Sequence, residues 1–131
     1  MEVLRWKTRI AVLWVLMAVA MSAHSIMATM EAGGFEEIAE EMAGMGAGML
    51  VFIALFWLIP LWLAFMSLTV KGSANRWVNF VLGIIFTILN IGHFIEHLAP
   101  PSPVLILIIG STVVATALIA WYAWKWPKQE A

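Results

Sequence analysis

Three histidines, His24, His93 and His97, are the only imidazoles in a chain of 131 residues that contains no cysteine. With thiolates excluded, imidazole is the main ligand left for zinc, copper or haem iron, and unperturbed it also changes charge near neutral pH. The run His93-Phe94-Ile95-Glu96-His97 matches the H-x-x-E-H pattern, in which two histidines one helical turn apart bind zinc and a glutamate serves as base. On a helix, however, Glu96 points well away from the face that carries the histidines. A third ligand would have to come from His24 or Glu31, so hydrolysis is the weakest of the readings. Methionines crowd the same region of the sequence: Met17, Met21 and Met27 flank His24, and thioether adds a preference for copper(I). Methionine also packs irregular membrane interfaces without any metal, and that account suffices for most of them.

The elements that must hold these residues are dictated by composition. The chain is 63% hydrophobic and 11% charged, with a mean hydropathy of +0.96. Soluble domains are about half apolar and about a quarter charged, and a domain this small cannot hide such an excess. The bilayer is the implied solvent. Four apolar stretches, about 10–30, 48–70, 77–98 and 103–124, are long enough to cross a hydrocarbon core as helices. The expectation is a single all-α domain over 1–131, a four-helix transmembrane bundle running up-down-up-down. Pro60 interrupts the second stretch and should kink it, whereas Pro103 suits the first turn of the fourth.

Every Lys and Arg falls on one side of these stretches: Arg5, Lys7 and Arg9 before the first, Lys71 and Arg76 between the second and third, Lys125 and Lys128 after the fourth. The positive-inside rule then puts both termini in the cytoplasm of a prokaryotic cell, with the protein in the inner membrane and loop 31–47 outside it. Trp6, Trp77, Trp121, Tyr122, Trp124 and Trp126 form an aromatic belt at the basic side. Opposite lie Glu31, Glu36, Glu37, Glu40 and Glu41, in a segment where Phe35, Ile38 and Met42 could share one face of a short amphipathic helix. A competing reading treats the first stretch as a secretory signal cleaved near Ala18-Val19-Ala20, which would leave three spans; the uncharged run through Met30 is long for that.

Depth now becomes calculable. His24 lies 15 residues beyond Arg9, roughly 22 Å along a helix, and His93 lies 17 beyond Arg76, roughly 25 Å. All three histidines therefore fall in one outer layer. Below His97 and His93 on the third span, Asn79, Gly83 and Asn90 continue a polar stripe.

The stretches Lys71-Gly72-Ser73-Ala74-Asn75-Arg76-Trp77-Val78-Asn79 and Trp121-Tyr122-Ala123-Trp124-Lys125-Trp126-Pro127-Lys128, with Leu13-Trp14, resemble a family of small four-span prokaryotic membrane proteins known as a domain of unknown function. The resemblance extends over nearly the whole chain and implies a retained first span and a helical bundle. It implies no activity, cofactor or site.

Four functions remain in order. First is binding of copper or zinc by His24, His93 and His97, with Glu31 or Glu96 nearby, or of a b-type haem between His24 and His93. Second is a ligand-free accessory or structural subunit, packed against other membrane chains or further copies of itself. A small proton- or metal-linked transporter using Asn79, Asn90 and His97 is third, and an enzyme last. The bilayer is the one implied partner. Seven basic residues spread over three membrane-flanking segments do not make a nucleic-acid surface.

Overall fold

The computed structural model describes residues 1–99 and 101–127. All regular structure among them is helical: α1 (Glu2–Met30), α2 (Gly34–Ala43), α3 (Ala47–Thr69), α4 (Gly72–Glu96) and α5 (Pro103–Trp124). Four of the five, all but α2, are long and apolar enough to cross a membrane. Both α1 and α4 begin earlier than the hydropathy suggested, because a helix can continue through polar residues that leave no hydrophobic signal. Helix α3 runs on through the buried Pro60 rather than stopping there, although the proline contributes no N–H to the ladder. Helix α5 opens with Ser102 as N-cap, its hydroxyl accepting from the Leu105 N–H, and with Pro103 in the first turn.

Helix α1 is flanked by α3 and α5, and α4 packs on α5; α3 and α4, although joined by a tight turn, touch little. Helices α1 and α4 meet across the centre through large side chains in matching order. Trp14 reaches Asn79 and stacks edge-on against Phe86, and farther along His24 meets His93 and His97. Between α4 and α5 the approach is closer still. A Cβ on Gly83 would lie 2.9 Å from the backbone nitrogen of Ala120, so only glycine fits without movement.

Polarity is distributed inside-out. Ser67, Asn79, Asn90, Thr112 and Thr116 are buried, while Leu61, Trp62, Phe65, Ile88, Leu107 and Val114 face outward. In water this would be a large exposed apolar surface; in lipid it is the expected arrangement, since polar groups seek one another in the interior.

One end of the molecule is basic and tightly bonded. Lys7 Nζ donates to the Val70 carbonyl (2.9 Å), and Asn75 Nδ2 donates to the carbonyls of Ser67 and Val70. Arg76 donates to the carbonyls of Ala123 and Trp124. Cations and amides thus satisfy the last carbonyls of α3 and α5, where the helix dipole also favours positive charge. Arg9 lies over Trp6 and Tyr122, Arg76 over Trp77, and Lys125 over Trp121. Trp126 departs from the expected belt and is buried in the core cluster with Ile10, Trp14 and Ala123. Lys128 lies outside the described residues.

Candidate metal centre

The other end carries the histidines. Helix α4 presents His93 on its last full turn and His97 at its C-cap, four residues apart and therefore on neighbouring rungs of one face. Their Nε2 atoms are 3.1 Å apart. Helix α1 supplies His24, buried among its neighbours with 8% of its surface exposed. The three rings form a nearly equilateral triangle. Centroids are separated by 4.8 Å (His24–His93), 4.9 Å (His24–His97) and 4.8 Å (His93–His97), each pair edge to face.

One ligand nitrogen from each ring can be chosen so that all lie within 4.8 Å of one another. A tetrahedral zinc or copper ion with metal–nitrogen bonds of about 2 Å would place three ring centroids roughly 5 Å apart. The observed triangle is already close to that. His24 Nε2 is buried and has no hydrogen-bond partner. A buried imidazole nitrogen without a partner is costly, and a metal ion is one group that would satisfy it.

Comparison of the chain with models of known families, with curated proteins and with solved structures finds no match. The chemistry of this end must therefore be argued from its own residues.

Haem fits the arrangement poorly. Axial ligation by His24 and His93 would place the macrocycle between two rings that are already in edge contact. The expected acidic ligands are not part of the group either. Glu31 is exposed and accepts a hydrogen bond from Ser102, which ties the end of α1 to the start of α5. Glu96 is exposed, and the group of mutually close ligand atoms consists of the three histidines. Of the H-x-x-E-H pattern, the two histidines join the group. Among the methionines, Met17 and Met21 belong to the apolar core cluster with Leu63 and Phe86, and Met27 is half-buried. Packing accounts for the first two.

The polar stripe on α4 divides into two parts with different work. Asn79 is saturated: Trp14 Nε1 (2.7 Å) and Ser67 Oγ (3.0 Å) donate to its Oδ1, and its Nδ2 donates to the carbonyl and side-chain oxygens of Asn75. It locks α1, α3 and α4 together and has no capacity left for a ligand. The sequence reading missed these partners because a tryptophan N–H and a serine on other helices carry no signal of their own. Asn90 is different. It is fully buried, its Nδ2 reaches Thr116 Oγ1 at 3.4 Å, and its Oδ1 has no partner.

The amphipathic segment is helical as α2, entered through Gly33 in the left-handed region at φ 75°. Next to it, a Cβ on Gly34 would collide with the carbonyl of Ala28, so the reversal at the end of α1 requires glycine. Phe35 and Met42 on its apolar face are exposed.

Proposed function

We propose that this membrane protein binds a first-row transition metal ion, zinc or copper, through His24, His93 and His97. The observation that carries the reading is the mutual approach of three imidazoles from two helices, one of them buried with an unpartnered nitrogen. Clusters of ionisable residues inside a membrane domain are expensive and mark function more often than packing. Three neutral imidazoles suit zinc and copper(II) and leave one coordination position to a further group, as in metal sites that handle a ligand rather than only brace a fold.

The four long helices are read as crossings of a prokaryotic inner membrane in the order up-down-up-down, with both termini in the cytoplasm. The basic residues gathered at the starts of α1 and α4 and after α5 support that orientation. The triangle then lies at the extracytoplasmic end, beneath a loop whose acidic residues raise the local cation concentration. We also place the chain with the small four-span prokaryotic membrane proteins that its interfacial motifs resemble.

The test is elemental analysis and calorimetric titration of the purified full-length chain. One equivalent of zinc(II) or copper(II) should bind, and His24→Ala, His93→Ala and His97→Ala should each abolish it. A chain that takes up neither metal, or binds equally well without the histidines, refutes the reading.

A further inference from the structure

Among the described residues, two buried side-chain polar atoms have no hydrogen-bond partner, His24 Nε2 and Asn90 Oδ1. Asn90 lies about one helical turn below the histidine layer. Asn90 precedes His93 by three residues and His97 by seven, a spacing that puts all three on one face of α4. His24 packs on both of those histidines. Side chains on a helix lean toward its N-terminus, so the rings of His93 and His97 lean over the turn that carries Asn90.

Thr116 Oγ1 donates to the Thr112 carbonyl at 2.9 Å and accepts from Asn90 Nδ2 at 3.4 Å. With Nδ2 facing Thr116, Oδ1 is a fully buried acceptor with nothing to accept from. Buried groups of this kind are rare and call for a partner.

We propose that a metal ion on the histidine triangle keeps a fourth, solvent-filled position, and that Asn90 Oδ1 accepts a hydrogen bond from that solvent molecule. The proposal rests on the metal-binding reading above and specifies what the metal presents. Reach permits it: a metal–oxygen bond of about 2 Å and a hydrogen bond of about 2.8 Å together span about 5 Å. Helical pairs three apart have Cβ atoms about 5–6 Å from each other. Asparagine is also suited by its neutrality, because it orients a bound water without bringing a second charge into the span. Asn90 is thus a positioning residue, and the site is one at which a small exogenous donor can replace solvent.

The experiment uses the full-length chain loaded with copper(II) in lipid nanodiscs. Pulsed electron paramagnetic resonance in D2O should detect deuterons of one coordinated, exchangeable water. Azide titration, followed by the same spectrum, should displace it. Asn90→Leu should keep copper affinity within about threefold while azide displaces solvent at roughly three- to tenfold lower concentration, the effect of losing one hydrogen bond. Asn90→Ala serves the same purpose if leucine overpacks the site. A copper site with no exchangeable water overturns the proposal and leaves metal binding intact; so does an azide affinity unchanged by either substitution. A wild-type chain that binds no copper overturns both.

Discussion

The Nε2 atoms of His93 and His97 stand 3.1 Å apart on one helix, and the ring of His24 closes on them from another, its centroid 4.8 and 4.9 Å from theirs. The first pair is held by the local geometry of α4 alone. The third ligand arrives only when α1 is docked. Metal binding should therefore be coupled to the packing of α1 against α4, and a bound ion should stabilise the fold. At free metal about 100-fold above its dissociation constant the gain is about 2.7 kcal/mol. Thermal unfolding in detergent with zinc(II) or copper(II), and again after chelation, measures it; a melting curve indifferent to the metal, or a shift retained in His24→Ala, contradicts the coupling.

The carboxylates near the triangle should matter little to affinity. Glu31 is bonded to Ser102 and Glu96 is exposed, so Glu31→Gln and Glu96→Gln should each change the metal dissociation constant by less than about threefold. Loss of His93 or His97 should cost more than the roughly 10- to 100-fold typical of groups that only support a ligand. Competition titration against a chromophoric chelator gives both values. A large loss in either glutamine variant would return a carboxylate to the ligand set.

Asn79 should behave as a structural lock. Asn79→Ala strips the acceptor from the Trp14 indole, leaving a buried donor unpaired, while Ser67 keeps the Leu63 carbonyl, and should destabilise by about 1–3 kcal/mol. A double-mutant cycle with Trp14→Phe should return a coupling of about 0.5–2 kcal/mol, the range for polar contacts between membrane helices. Metal affinity should be unaffected. Additive losses in the cycle would mean that the two groups do not act together.

Gly83 should tolerate nothing larger. The space for a Cβ is occupied by the Ala120 backbone, which cannot swing aside as a side chain would. Gly83→Ala should destabilise by about 1–3 kcal/mol, and Gly83→Leu should separate α4 from α5. Unfolding of the two variants in denaturing detergent tests this, and wild-type stability in Gly83→Leu would refute it.

The absence of cysteine allows a direct test of orientation. Lys71→Cys should be protected from an impermeant maleimide in intact cells and react once they are opened, whereas Gly46→Cys should react in both. The reverse pattern would place the histidine triangle on the cytoplasmic side.

Helix number and the common level of the histidines were legible in the sequence because both follow from one-dimensional measures. A span must match the hydrocarbon thickness, and depth along a helix grows by about 1.5 Å per residue. Azimuth within a helix was legible too: the single-residue step from Glu96 to His97 turns the glutamate about 100° from that histidine. Helix ends were less so, since α1 starts at Glu2 and α4 at Gly72, in polar sequence that hydropathy does not register.

What residues alone determined, then, is a helical chain with four stretches long and apolar enough to cross a membrane, its imidazoles in one layer and its cations at the other end. Which imidazoles touch was decided by tertiary packing. The small side of Gly83 lets α5 close on α4, and Asn79 draws Trp14 inward. Helix α1 is thereby rotated so that His24 meets His93 and His97. The same packing sent Glu31 to Ser102, on a segment 71 residues away, and left Asn90 Oδ1 without a partner. Such contacts depend on the relative rotation of helices far apart in the chain, which no periodicity within a single helix encodes.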